Sequence, residues 1–188
     1  MRRIFRYLFT FILSTIILNS FGQTVITSPS DSIVQIRLQQ YRQAFWDSLP
    51  EPHGWVNDFE ALYSDEENRS LDSVISVFKA RTNIEIAIVT VDTNFIEKEK
   101  FDDLALHIAN TWKVGEKEKD NGIVITISRG YRRIRIQNGY GIEKLITDEE
   151  TKAIIDNYFI PDFKAGNYYN GTLTGLTKLT ELLDTKLK

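Results

Sequence analysis

The spacing of apolar residues divides the chain into elements before any other property is considered. Val34, Leu38, Tyr41 and Phe45 recur at helical intervals, which predicts an amphipathic helix over residues 32–46 that ends before Leu49-Pro50-Glu51-Pro52. Ser64 with Glu67 three residues on has the pattern of a capping box. Leu71, Val74, Ile75 and Phe78 then form one stripe, so a second helix is expected over residues 65–81. Residues 84–91 are β-branched and nearly all apolar, as in a strand covered on both faces. Phe101, Leu104, Ala105, Ile108, Ala109 and Trp112 fit a buried helical face over residues 100–113, and residues 122–128 are again almost wholly apolar. Strand, helix and strand in that order make a β-α-β crossover, so these two strands run parallel.

Beyond the second strand, Arg129-Gly130-Tyr131 reads as a tight turn into a third strand over residues 132–137, which is antiparallel to the second. Ile134 and Ile136 alternate there with Arg133, Arg135 and Gln137, the pattern of a strand at a sheet margin. Thr147 with Glu150 is a second capping-box pattern, opening a helix expected to run to about residue 158 and to stop at Pro161. Leu173, Leu176, Leu179 and Leu183 mark a last helix.

The first segment has a different character. Arg2, Arg3 and Arg6 precede an apolar run over residues 7–18, and Ser20-Phe21-Gly22 supplies small residues where a signal peptidase reads them. A run of twelve residues falls short of the roughly 20 that span a bilayer, so a signal peptide over 1–22, cleaved before Gln23, is expected. Residues 23–53 then form a leader with the front helix and a proline linker, and residues 54–188 form the main domain. The mature protein is expected in the periplasm or secreted.

Composition narrows the chemistry. A chain of 188 residues with 42% hydrophobic and 26% charged residues suits one folded domain, and zero cysteines exclude a disulfide scaffold, a thiolate zinc site and a thiol nucleophile. Loss of the signal peptide lowers the basic count from 23 to 20 against 26 acidic residues, a net charge of about −6. That sign argues against a nucleic-acid binder and makes metal cations the more natural partners. His53 and His107 are the only histidines, too few for a His-rich metal cage. Gly166 and Gly171 have P-loop spacing, but Thr172 stands where its lysine would be, and Gly139-Tyr140-Gly141 lacks the third glycine of a dinucleotide fingerprint.

Strand directions place Asp120-Asn121-Gly122, at the start of the second strand, beside Asn138-Gly139-Tyr140-Gly141, at the end of the third. Trp112 and Gly115 reach the same end, and Asp148 opens the next helix nearby. One rim is thus expected to collect Asp120, Asn121, Tyr140, Glu143 and Asp148. Carboxylates converging there could hold a hard cation through oxygen ligands or pair an acid with a base. The same residues also have structural readings: turn chemistry for Asp120-Asn121-Gly122, favourable helix electrostatics for Asp148, backbone bends for Gly139 and Gly141, and a solvated edge charge for Arg135.

Val56-Asn57-Asp58, Trp112-x-x-Gly115, Asp120-Asn121-Gly122, Arg135-Ile136, Gly139-Tyr140-Gly141-Ile142-Glu143, Thr147-Asp148 and Pro161-x-Phe163-x-x-Gly166-x-Tyr168 together resemble the TPM domain family in order and spacing. The resemblance runs from Trp55 to Leu183 and implies an α/β fold, a three-layer α/β/α sandwich with a small mixed β-sheet, in an exported protein. It adds Asp58 to the rim. The family includes proteins described as acid phosphatases, as binders of divalent ions such as calcium, and as assembly or maintenance factors for membrane complexes. By resemblance, then, the expected function is a divalent-metal-binding interaction or assembly module of the cell envelope. Its metal, calcium first and magnesium second, would be held by Asp58, Asp120 and Asp148, with Asn121, Gly139, Tyr140 and Gly141 forming the pocket. The alternative is a metal-assisted acid phosphatase in which Asp58, Asp120 and Arg135 are catalytic. The partner implied is an envelope membrane-protein complex met by a monomer.

Overall fold

The computed structural model describes residues 29–188. The signal-peptide expectation lies outside the described residues. A four-stranded sheet with order β1-β2-β3-β4 forms the middle layer, from β1 (Val56–Asp58), β2 (Glu85–Thr90), β3 (Gly122–Ser128) and β4 (Arg133–Asn138). β1, β2 and β3 are parallel, and β4 is antiparallel to β3. Three-residue β1 is too short to show a period, and polar anchoring defines it: the Asp72 carboxylate accepts the Trp55 and Val56 amides at 2.8 and 3.0 Å.

Alternation along the strands sends Ile86, Ile88, Ile123, Ile125 and Ile127 to one face, against α2 (Asp65–Thr82) and α7 (Tyr168–Lys186). Ala87, Val89 and Val124 face the other way, against α3 (Phe101–Trp112) and the end of α1 (Pro29–Asp47). The result is the expected three-layer α/β/α sandwich, with one apolar core on each side of the sheet. Strand order is sequential while α2 and α3 cover opposite faces, so the two crossovers have opposite hands and one of them departs from the right-handed rule.

The front helix docks through its last turns. Phe45 is buried, Trp46 stacks on His107 with ring centroids 4.3 Å apart, and Arg42 donates to the Thr93 carbonyl at 2.9 Å. Upstream, Ile33, Val34 and Ile36 are exposed. Both capping boxes form as expected. Ser64 accepts the Glu67 amide, Thr147 accepts the Glu150 amide, and each glutamate returns the bond.

The region before α7 differs from expectation. α5 (Asp148–Ile154) does not stop at Pro161 but passes through a π-helical turn, Ile155–Phe159, into α6 (Ile160–Lys164). Proline lacks an amide and its ring crowds the preceding turn, so the wider π turn lets the chain continue where a regular α-helix would break. The hairpin also begins one residue later than expected, because residues 129–132 form a four-residue loop closed by the Arg132 amide on the Arg129 carbonyl at 3.1 Å.

Candidate functional site

At the end of the sheet where β3 starts, neighbours meet as the strand directions require. The Gly139 amide donates to the Gly122 carbonyl at 2.8 Å, and the Gly141 amide donates to the Asp120 carbonyl at 3.0 Å. Asn121 is buried as a brace: its carbonyl accepts the Glu116 amide at 2.7 Å and its amide group donates to the Asn83 carbonyl at 2.8 Å. Gly139 and Gly141 are there because no side chain fits. A Cβ on Gly139 would lie 2.3 Å from the Asp120 carbonyl oxygen, and one on Gly141 would lie 2.0 Å from that of Lys119. Tyr140 is 73% exposed and opens the short helix α4 (Tyr140–Glu143). Asp120, Glu143 and Asp148 are exposed as well, and Asp148 lies one turn before Thr151, whose hydroxyl accepts from Asn138 at 3.0 Å. Arg135 is exposed in the middle of β4, opposite Thr126 and away from either end.

Asp58 does not join this rim. It ends β1, in register with Thr90 at the end of β2, whereas Asp120 precedes Gly122, which pairs with Glu85 at the start of β2. Five residues at roughly 3.3 Å each put about 16 Å of strand between the two levels. The short β1 reverses the expectation: the parallel strand carries Asp58 to the opposite end of the sheet. Its carboxylate is also engaged, accepting the Leu62 and Tyr63 amides at 3.0 and 2.9 Å and the Thr90 hydroxyl. Asp58, Asp120 and Asp148 therefore do not fit one divalent cation, and among the described residues no group of three or more acidic or histidine side chains is placed to hold a metal.

The end of the sheet that Asp58 occupies is the carboxyl end of β1, β2 and β3, the side on which open α/β sheets bind ligands. A crevice of about 610 Å3 lies there, between the β3–β4 loop and the segment joining α6 to α7. One wall carries Arg129, Arg132 and Arg133; the other carries Ile160, Phe163, Lys164 and Tyr168. Arg133 is already paired with Asp102 at 2.8 Å, but among the described residues Arg129, Arg132 and Lys164 enter no ion pair.

The loop bearing these arginines is fixed from beneath. Glu60 is buried at 8% exposure and accepts the Arg129 and Gly130 amides at 2.7 and 2.9 Å, while its own amide donates to Thr90. Burial raises the Glu60 carboxyl above its ordinary range, against the lowering effect of those two amides. Tyr131 adds a hydroxyl bond to the Ile96 carbonyl at 2.6 Å. Gly130 sits so close to Thr93 that a Cβ would meet its methyl at 2.5 Å. Arg132 has φ of 53°, a left-handed conformation in which Gly or Asn is the relaxed choice.

The composition of the site was only partly visible in the chain. Phe163, Gly166 and Tyr168 belong to the quoted motif, whereas Glu60, Arg129, Arg132 and Lys164 carried no local signal beyond turn or surface residues.

An open α/β/α sheet with a ligand-sized crevice at the carboxyl ends of its parallel strands defines the class of protein. A TPM domain model matches residues 56–182, and the chain belongs to the TPM domain family. The chain is similar to the solution NMR structure of the N-terminal domain of a protein from P. gingivalis, with 28% identity and a TM-score of 0.65 over 71% of this chain and 83% of that one. It shares the fold of the BA42 protein from the psychrophilic Bizionia argentinensis, at 22% identity, a TM-score of 0.59 and coverage of 68% and 86%. The N-terminal domain of the cg2496 protein from Corynebacterium glutamicum shares it at 14% identity, a TM-score of 0.52 and coverage of 70% and 82%. No curated protein matches the chain.

Proposed function

We propose that the protein is an exported, non-catalytic binding module that takes an anionic group in the crevice between the β3–β4 loop and the α6–α7 corner. One observation carries the reading: Arg129, Arg132 and Lys164 line a single cavity and, among the described residues, enter no ion pair, in a chain whose formal charge is −3. Unpaired cations concentrated against the overall charge focus a positive potential on the crevice, and guanidinium forks suit carboxylate or phosphate.

Binding is favoured over turnover by what lines the cavity. Among the described residues, the side chains lining it include no carboxylate or imidazole to act as base, and the Ser128 hydroxyl is buried and accepts the Tyr131 amide at 3.3 Å. Calcium or magnesium is assigned no step, because the aspartates expected to hold it are divided between the two ends of the sheet. Action outside the inner membrane is the setting suggested by the composition of residues 1–22, and membership of an envelope complex is what the family resemblance suggests.

Titration with inorganic phosphate at low ionic strength tests the reading. Saturable binding is expected, weakened about tenfold in Arg132→Gly and in Lys164→Ala, as loss of one charge-assisted bond implies. Absent binding, or binding that both variants leave unchanged, would contradict it. Hydrolysis of nitrophenyl phosphate that disappears in Arg132→Gly would favour the phosphatase alternative.

A further inference from the structure

Cations are only half of this crevice. Opposite Arg129 and Arg132, the wall from α6 to the start of α7 is aromatic and apolar: Ile160, Phe163 and Tyr168 line it, with the Phe163 and Tyr168 rings 4.8 Å apart and tilted by 31°. Phe159 braces Phe163 from behind in an edge-to-face contact at 5.9 Å. The wall is seated by glycines of α7. A Cβ on Gly175 would lie 2.1 Å from the Phe159 ring, and one on Gly171 would lie 2.7 Å from the Phe163 ring. The π turn, closed by the Ile160 amide on the Ile155 carbonyl, leads directly into Ile160 and Phe163.

The two walls face each other at close electrostatic range. Burial raises the Tyr168 phenol, Glu60 adds to that effect, and Arg129 and Arg132 oppose it, so this ring feels the charges of the loop. Both walls are preorganised, one by Glu60, Tyr131 and the close approach of Gly130 to Thr93, the other by the glycine-seated phenylalanines. A cavity of about 610 Å3 far exceeds an inorganic anion and falls within the usual range for a small organic ligand.

Resting on the anion reading above, we infer that the ligand is a small aromatic acid, its anionic group held by Arg129, Arg132 and Lys164 and its ring lying against Phe163 and Tyr168. The ring requirement comes from the second wall, which an anion alone would leave exposed.

Calorimetric titration of the protein with two matched pairs of probes separates the two ideas: phenyl phosphate against inorganic phosphate, and benzoate against acetate. The ring-bearing member of each pair is expected to bind roughly five- to tenfold more tightly, the worth of an aromatic contact. Tyr168→Ala is expected to erase that ratio, and Arg132→Gly to weaken both members of each pair together. Equal affinity within each pair would overturn the aromatic-acid inference and leave the anion site standing. Failure of all four probes would overturn both. A pentapeptide ending in tyrosine with a free carboxylate is expected to bind more weakly than benzoate; tighter binding would assign the crevice to a chain end and overturn the small-molecule part.

Discussion

The two ends of the sheet are built on opposite plans. At the amino end of β3, backbone packs on backbone: a Cβ on Gly122 would lie 1.8 Å from the Val114 carbonyl oxygen, and Gly139 and Gly141 are equally enclosed. At the carboxyl end, a crevice stays open and, among the described residues, three of its cations enter no ion pair. Motif residues cluster at both, so a motif alone does not separate a packing device from a binding device. Space and charge pairing do.

The sharpest way to break this contrast is to add one methyl group at each end. Gly122→Ala is expected to destabilise the fold by about 3 kcal/mol or more in chemical denaturation, because backbone atoms must move to admit it. At the other end, Gly166 has φ of 85° but open space around it, so Gly166→Ala is expected to cost only about 1 kcal/mol. Equal losses would remove the distinction.

Splitting the aspartates gives the next largest effect. Asp58→Asn loses an acceptor for the Leu62 and Tyr63 amides and the Thr90 hydroxyl and is expected to cost about 1–3 kcal/mol, whereas Asp120→Asn, an exposed carboxylate, is expected to stay within about 0.5 kcal/mol of the parent protein. Parallel losses of stability together with lost calcium binding in both would restore a shared site.

Arg132→Gly sharpens the comparison from the other side. Relief of the left-handed strain is expected to stabilise the fold by about 0.5–1 kcal/mol in thermal denaturation while anion binding falls. A variant that loses stability as well would make Arg132 a packing residue.

Glu60 supplies the smallest effect and a sign. Its folded carboxyl titrates above the ordinary 4.5, so in the window just above that pH the folded protein holds more proton than the unfolded chain. Stability relative to Glu60→Gln is therefore expected to fall as pH rises through that window, measured by urea denaturation at several pH values. A rise would mean that the Arg129 and Gly130 amides outweigh burial.

Much of the fold was legible because local signals agreed with tertiary ones. Ser64 and Thr147 cap the helices they announce, and the apolar runs around Ile86 and Ile125 are strands buried on both faces. Pro161 misled because a π turn accommodates what an α-helix cannot. The rim around Gly139 was legible from strand directions, but Asp58, added to it by resemblance alone, lies at the opposite end because β1 runs parallel to β2. Of the crevice only Phe163, Gly166 and Tyr168 were marked by a motif: Glu60 lies 69 positions from Arg129, and only the folded sheet brings them to 2.7 Å. Phe163 is seated in the facing wall by the contact of its ring with Gly171 of α7.

The most direct test of the account maps binding residue by residue, by following backbone amide signals during titration with phenyl phosphate. Shifts concentrated at residues 128–133 and 160–168 are predicted, with residues 120–122 and 139–141 unmoved. Shifts concentrated at 120–122 and 139–141 instead would place the site at the glycine-packed end and contradict the account.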